Sequence, residues 1–230
     1  MISRTSRADE IASNLDSVQS RIARVAKRVN RDLDAITLIA VTKTYPASDA
    51  GILHELGVKD FAENRDREGV EKSEIVPGRW HFQGQIQSNK ISSIAFWADV
   101  VHSLDDPRHL RLLAAAVPES KVLSVFIQVC LDPQPGRGGV LPQNLSPLAE
   151  LALAQSSLRL EGLMAVAPLG ENPESAFSRL AQIYSDFHQQ FPSAAGLSAG
   201  MSGDFECAIE HGATHLRVGS SILGSRSDLR

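Results

Sequence analysis

Eight short, continuously apolar segments, separated by helical stretches, constrain the fold more than any other feature of this 230-residue chain. Continuous apolar runs are typical of parallel strands buried on both faces, whereas half-exposed strands alternate apolar and polar residues. A strand followed by a helix, repeated eight times, predicts an α/β fold, a closed (β/α)8 TIM barrel. The predicted strands are 37–42, 60–62, 80–84, 100–103, 124–130, 161–166, 196–200 and 216–219.

An open, doubly wound sheet is the alternative arrangement for such a chain. That fold usually places a glycine-rich, dinucleotide-binding turn after its first strand. Here the first strand leads into VTKTYPAS, which contains no glycine. The turn therefore favours the barrel, in which the loops at the C-terminal ends of the strands form the active site.

An additional helix is predicted over residues 8–30, ahead of the first strand. Apolar residues from Ile11 to Val29 recur at spacings of three and four, so they form one stripe on a helix whose other face is polar or charged. No repeat, low-complexity tract or long linker divides the sequence. We therefore expect one domain spanning residues 1–230, with segments 1–7 and 227–230 flexible.

Composition and charge exclude several classes of function. The formal net charge of −4 gives no reason to expect nucleic acid or an anionic membrane as a partner. No apolar run approaches the roughly 18 residues of a membrane span, and the N-terminus lacks the apolar stretch of a secretory signal. Cys130 and Cys207 are too few for a disulfide framework or a zinc cage, so we interpret them as small core residues of a cytoplasmic protein.

Lys43 is the first candidate functional residue, because it directly follows the first buried strand. Partial burial there would favour the neutral amine, which is the form that reacts with an aldehyde to give a Schiff base. The alternative is a lysine whose stem lies along the apolar surface while its ammonium group reaches solvent.

Two further segments predict a phosphate site. Ser202 and Gly203 are expected to open a helix whose first backbone N–H groups lack partners within the helix, and such groups bind anions. Gly219, Ser220 and Ser221 follow the eighth strand, and the loops after strands seven and eight frequently bind phosphate in such barrels. The alternative is that Ser202 only caps its helix and the glycines only turn the chain.

Charged and histidine side chains on the strands are the remaining candidates. Arg217 would point into the barrel, where it needs a phosphate, a carboxylate, a pyridine nitrogen or an internal ion pair as its acceptor. His81 and His102 are within reach of the barrel mouth but are interpreted as structural histidines. A metal site at His211 and His215 lacks further ligands in the sequence.

Several blocks of the sequence resemble the pyridoxal phosphate homeostasis protein family. They are LIAVTKTYPA, FAEN, WHFQGQIQSNK, VHSLDD, GLMAVAP and LSAGMSGDFECAIEHGATHLRVGSSILGSR, which occur in the family's order over about residues 37–226. The third and last blocks are long and specific. The family is a single barrel related to the barrel domain of alanine racemase, fold type III among proteins that bind pyridoxal 5′-phosphate (PLP).

The resemblance implies a PLP site in which the cofactor is held as a Schiff base. The cofactor lysine of the family matches Lys43, and its asparagine near the ring matches Asn64. Its arginine facing the pyridine nitrogen matches Arg217. Its phosphate cradle maps onto Ser202, Gly219 and Ser220.

Two positions depart from the family near the expected ring. Ala62 and Gln85 stand where the family usually has glycine and histidine, so the contacts beside the ring are expected to differ. Tyr45 is the tyrosine nearest to Lys43 in sequence and the one that a racemase of this fold would use as its second acid/base. Its place on the same loop as Lys43 does not favour that role.

The resemblance therefore implies a protein of intracellular PLP homeostasis, one that buffers or delivers the cofactor rather than turning over a substrate robustly. An arginine at the pyridine nitrogen weakens the ring as an electron sink. Acceptors would be apo-enzymes or free amino acids, and a monomer is expected because the racemase dimer depends on a second domain. The alternatives are a low-activity amino acid racemase of the same fold and an interaction protein whose partner senses the occupied site.

Overall fold

Eight parallel strands pair in chain order, and the last strand pairs with the first, so that the sheet closes into a barrel. The computed structural model describes residues 6–132, 134 and 137–224. The strands are β1 (Thr37–Val41), β2 (Asp60–Glu63), β3 (Arg79–Phe82), β4 (Val100–Leu104), β5 (Leu123–Gln128), β6 (Leu158–Met164), β7 (Gly196–Ser198) and β8 (His215–Val218). The predicted closed barrel is therefore confirmed.

A helix follows each strand, and one more precedes β1. The helices are α1 (Arg7–Arg28), α2 (Ala47–Glu55), α3 (Asp66–Ile75), α4 (Ile91–Trp97), α5 (Pro107–Ala116), α6 (Leu145–Leu153), α7 (Pro173–Gln190), α8 (Phe205–Glu210) and α9 (Ser220–Leu223). Asp106 and Asn172 cap α5 and α7, each directly before a proline, because their side chains accept backbone N–H groups of the first turn. Within the described part of the chain, no helix combines the length and apolar character needed to cross a membrane.

The start of β6 differs most from the prediction. The strand begins at Leu158 rather than at residue 161, and burial alternates along its first residues, with Arg159 exposed between buried Leu158 and Leu160. Alternation is the pattern of a strand with one solvated side. The prediction missed this part of β6 because it was based on continuous apolar runs.

Helix α1 covers the seam at which β8 meets β1. It packs against α2, α8 and α9. Arg21 forms a salt bridge with Glu206 of α8 at 2.9 Å, and Arg7 forms one with Asp49 of α2 at 2.6 Å. The predicted apolar stripe is buried at Ile11, Leu15, Val18, Ile22 and Val25.

A capping box starts α1 at the inner end of the segment that was expected to be flexible. The Ser6 hydroxyl oxygen accepts the Asp9 N–H, the Asp9 carboxylate accepts the Ser6 N–H, and Arg7 opens α1. This reciprocal capping box satisfies N–H groups that would otherwise lack partners. The other residues expected to be flexible, 1–5 and 227–230, lie outside the described residues.

Gly162 of β6 leaves no room for a side chain. A Cβ at this position would lie 1.8 Å from the carbonyl oxygen of Gly196, its partner on β7.

We expect Gly162→Ala to lower the free energy of unfolding by roughly 2–4 kcal/mol, because two paired strands must separate. Urea unfolding measures the change. Gly51→Ala in α2, where an added Cβ meets nothing within 4 Å, is the control and should be neutral or stabilising. Equal losses in both variants would contradict the close approach.

Candidate functional site

Lys43 lies in the turn after β1, at the C-terminal rim of the barrel. It borders a cleft of about 230 Å³ together with Thr44, Gly219 and Ser220. The prediction of a partly buried amine is wrong: β1 ends at Val41, and the side chain of Lys43 is exposed. The observed lysine corresponds to the alternative, a side chain that reaches solvent. The structure nevertheless brings Lys43 together with two residues of the predicted phosphate site.

The backbone is strained at Thr44, the residue after Lys43. Thr44 has a φ of 70°, a left-handed conformation that β-branched residues rarely adopt. Such a conformation costs ~1–3 kcal/mol and persists only where surrounding contacts hold it. One of these contacts is a 2.6 Å hydrogen bond from the Thr44 N–H to Glu68 Oε2 on α3. The turn around Lys43 is therefore held by a neighbouring element.

Two backbone N–H groups converge on the hydroxyl oxygen of Ser202. Gly219 donates over 3.3 Å and Ser221 over 3.2 Å. A Cβ at Gly219 would lie 2.9 Å from the Val41 carbonyl oxygen, so glycine lets the loop after β8 approach β1 closely. Convergent backbone N–H donors of this kind are suited to binding phosphate oxygens.

Ser202 does not open the helix after β7, which corrects the prediction. Helix α8 begins at Phe205, with Asp204 as its N-cap. The Asp204 carboxylate accepts the Met201 N–H at 2.5 Å and closes residues 201–204 into a turn. Because Ser202 lies in this turn, its hydroxyl bonds to the loop after β8 rather than to its own helix.

Asn64 follows β2 and borders a neighbouring cavity rather than the Lys43 cleft. Its side-chain oxygen accepts a 2.9 Å hydrogen bond from Gln83 Nε2. With Gln85, Asn64 lines a cavity of about 470 Å³. Ala62, the other position that departs from the family pattern, is fully buried inside the barrel. Of these two departures, Gln85 is thus the one that lines a cavity at the rim.

Arg217 points into the barrel, and its buried guanidinium group has neutral acceptors. It donates to Ser198 Oγ at 2.6 Å and to the carbonyl oxygen of Ala165 at 3.0 Å. Burial lowers the pKa of Arg217 to about 10, an effect that Asp204 opposes, so the group remains a cation at neutral pH. The internal ion pair that the sequence left open is not found among the described residues.

A continuous chain of hydrogen bonds runs from Arg217 across the barrel interior to Asp60 on β2. Ser198 Oγ lies 2.9 Å from His102 Nδ1. His102 Nε2 lies 2.8 Å from His81 Nδ1, and His81 Nε2 lies 3.0 Å from Asp60 Oδ1. Both histidines are completely buried, which agrees with their interpretation as structural residues.

The groups at the two ends of this series of hydrogen bonds determine which atom donates and which accepts in each bond. Burial lowers the pKa of both histidines, so both rings are neutral at pH 7. The Asp60 carboxylate only accepts, which makes His81 Nε2 a donor and leaves His81 Nδ1 to accept from His102. His102 Nδ1 then accepts the Ser198 hydroxyl, whose oxygen accepts from Arg217. Every bond is therefore donated in the direction of Asp60, and the acceptor that Ser198 offers orients the guanidinium of Arg217.

Tyr45 is buried at the edge of the Lys43 cleft. Its hydroxyl donates a 2.6 Å hydrogen bond to the Gly224 carbonyl oxygen, and the guanidinium of Arg7 lies 5.6 Å over its ring. A tyrosine that acts as an acid/base must present its hydroxyl to the reacting atom. The observed bond instead ties Tyr45 to the backbone beyond α9.

One cluster of possible metal ligands was missed in the sequence. Ligand atoms of Glu174, Cys207 and His211 lie within 4.8 Å of one another, although Glu174 is distant in sequence. The Cys207 thiol donates to Glu174, and burial, together with this carboxylate, raises the pKa of Cys207 to about 11. The thiol therefore stays protonated, and Glu174 is the polar partner of both Cys207 and His211.

Cys130 and Cys207, predicted to be core residues, are both half-buried instead.

The buried histidines are expected to make stability depend on pH. The pKa values of His81 and His102 are lower in the folded chain, so acid protonates the unfolded chain first. Lowering the pH from 7 to 5 should reduce the free energy of unfolding, by up to about 1.4 kcal/mol per pH unit for each such histidine. His102→Gln should flatten this slope, measured by urea unfolding at several pH values. His54→Gln, on the exposed side of α2, should retain it. Equal slopes for His102→Gln and the wild type would contradict the assignment.

Comparison with known proteins identifies the relatives of this chain. Residues 13–227 match the family model of the alanine racemase N-terminal domain. A pyridoxal phosphate homeostasis protein of Corynebacterium glutamicum is 41% identical over an alignment of 218 residues that covers 91% of this chain and 99% of that protein. The solved structure of PipY of Synechococcus elongatus with PLP bound superposes with a TM-score of 0.80 at 30% identity, covering 93% of this chain and 100% of that one. An unknown protein from Bifidobacterium adolescentis superposes with a TM-score of 0.87 at 25% identity, covering 96% and 97%. This chain therefore belongs to the pyridoxal phosphate homeostasis protein family, which is built on the barrel of the alanine racemase N-terminal domain.

Proposed function

We propose that this chain binds PLP with Lys43 as its Schiff-base anchor, and that it buffers and delivers the cofactor inside the cell. The observation that carries the proposal is the convergence of the Gly219 and Ser221 N–H groups on the Ser202 hydroxyl, next to the cleft that Lys43 borders. The name of the relatives and the PLP bound to PipY support the same ligand.

The residues at the rim fit the chemical parts of the cofactor. The N–H groups of the loop after β8, with the hydroxyls of Ser202 and Ser220, would hold the phosphate. The Lys43 amine would hold the aldehyde, and Asn64 would lie near the ring. When bound, PLP supplies an aldehyde that condenses reversibly with amines. The glycine at position 219 keeps the phosphate loop against β1, where a Cβ would meet the Val41 carbonyl oxygen at 2.9 Å.

Arg217 would face the pyridine nitrogen of the cofactor. Its guanidinium can donate hydrogen bonds but has no acceptor, so it would disfavour protonation of that nitrogen. The chain of hydrogen bonds that ends on Asp60 orients Arg217. An unprotonated ring is a weak electron sink, which supports a role in holding the cofactor over chemistry on amino acids.

The surroundings of Lys43 support a carrier more than a racemase. A two-base racemase needs a second acid/base opposite the lysine, whereas the Tyr45 hydroxyl is bonded to the Gly224 carbonyl. Lys43 is exposed, so apo-enzymes or free amino acids have access to it. We propose the monomer as the acting form.

Loading the purified protein with PLP tests the anchor. The wild type should develop the absorption of a protein-bound Schiff base, and borohydride should fix the cofactor on the peptide that contains Lys43. Lys43→Ala should abolish both signals, whereas Lys59→Ala, an exposed lysine just before β2, should leave both unchanged. Ser202→Ala should weaken binding about tenfold, because a hydrogen bond to a charged group is lost. A wild type without the band, or labelled at another lysine, would contradict the anchor.

A transfer assay tests the role as a carrier. PLP-loaded protein should restore the activity of an apo-enzyme, and it should not racemise amino acids at an enzymatic rate. Racemisation that Lys43→Ala abolishes, and that Tyr45→Phe slows without loss of the absorption band, would overturn the carrier in favour of a racemase.

A further inference from the structure

Three charged side chains are packed behind the barrel wall, directly beneath the turn that carries Lys43. Glu63 ends β2, and its side chain lies on the opposite face from Ala62, which packs inside the barrel. Lys72 on α3 reaches Glu63 with an Nζ–Oε1 distance of 2.6 Å, and both side chains are almost completely buried. Glu68, one helical turn earlier on α3, lies 3.5 Å from the same Nζ atom.

This cluster holds both chain neighbours of Lys43. Lys72 Nζ donates to the Thr42 carbonyl oxygen at 2.8 Å, and the Thr42 hydroxyl donates to Glu63 Oε1 at 2.5 Å. On the other side of Lys43, Glu68 Oε2 accepts the Thr44 N–H at 2.6 Å. The backbone is therefore fixed immediately before and immediately after Lys43, while the Lys43 side chain stays outside the cluster.

Burying the charged groups of this cluster costs free energy that a contact serving only stability need not spend. A buried ion pair is often no more stabilising than well-packed apolar residues, because both ions must be desolvated. Glu63 Oε2 is buried and has no hydrogen-bond partner among the described residues. Burial raises the pKa of Glu63, although Lys72 and Thr42 oppose this. These costs point to a role other than stability for the group.

The contact with Thr44 acts on a strained part of the backbone. Thr44 is the strained residue, with a φ of 70°. Burial alone would raise the pKa of Glu68, but the Thr44 N–H and Lys72 lower it overall, so Glu68 is an anion at neutral pH. A hydrogen bond from an N–H group to an anion is stronger than one between neutral groups. The bond therefore stabilises the left-handed conformation that sets the path of the chain after Lys43.

We propose that Glu63, Glu68 and Lys72 are positioning residues that hold the turn of residues 42–44 in the conformation that presents the Lys43 amine to the aldehyde of PLP. The inference rests on the proposed function, because it assigns a role toward the same anchor. None of the three side chains lines the cleft that Lys43 borders. Their effect is exerted through the backbone on either side of Lys43.

Glu68→Ala is the first test, because Glu68 is only partly buried and its loss leaves the Lys72–Glu63 pair intact. Two ligands are titrated: PLP, and pyridoxine 5′-phosphate, which has an alcohol in place of the aldehyde. The variant should bind PLP about tenfold more weakly, as expected for one lost charge-assisted hydrogen bond. Its affinity for pyridoxine 5′-phosphate should be unchanged, because the phosphate loops lie on other strands.

A matched control and a second variant complete the test. Glu71→Ala removes an exposed carboxylate from the same helix and should bind both ligands as the wild type does. Lys72→Met combined with Glu63→Gln removes the buried charges together, so no unpaired ion is left in the core. This double variant should show the same selective loss of PLP affinity, while its far-UV circular dichroism matches that of the wild type.

The possible outcomes separate this inference from the proposed function. A loss confined to the aldehyde ligand supports the positioning role. Unchanged PLP affinity in Glu68→Ala, or equal losses for both ligands, overturns it while the Lys43 anchor stands. A wild type that forms no Schiff base on Lys43 overturns both proposals.

Discussion

The pairing of β8 with β1 is the interaction on which the candidate site depends. It joins the first and last strands in parallel, with Ile39 opposite Arg217 and Ala40 opposite Val218. The segments that follow these two strands therefore leave the sheet side by side, and Lys43 and Gly219 border one cleft. Helix α1 packs across the same seam, so the segment that precedes the barrel in sequence also supports its site.

Buried charged groups are held in different ways on the two sides of the barrel wall. Inside, Arg217 has neutral acceptors, and a chain of hydrogen bonds through Ser198 and two neutral histidines links it to Asp60. This leaves the guanidinium without a carboxylate beside it and available as a donor. Behind the wall, Lys72 contacts Glu63 directly and uses a further N–H to hold the Thr42 carbonyl. Direct pairing there restrains the backbone, whereas the chain of hydrogen bonds inside orients a side chain.

Periodicity explains which elements could be predicted. Parallel strands buried on both faces require continuous apolar runs, so the eight runs were sufficient to predict the barrel. The first residues of β6 were not predicted as strand, because Arg159 is exposed there and the pattern of burial alternates. Their positions after the predicted strands, and then the resemblance, selected Lys43, Ser202 and Gly219, which the structure brings to adjoining loops. The sequence did not reveal that Lys43 is exposed or that Ser202 lies in a turn closed by Asp204, since both depend on the residue at which an element ends.

The sequence by itself determined the order and type of the elements and the polar residues that follow the strands, because hydrophobic periodicity and turn chemistry act over a few neighbouring residues. Only the tertiary structure decided how distant side chains combine. The hydrogen-bond chain from Arg217 to Asp60 joins five strands, and the Glu63–Lys72 pair joins a strand to the following helix. Such contacts depend on strand register and on closure of the barrel. Strand register and barrel closure set which side chains face each other, to within a few tenths of an ångström. No local sequence pattern encodes that precision.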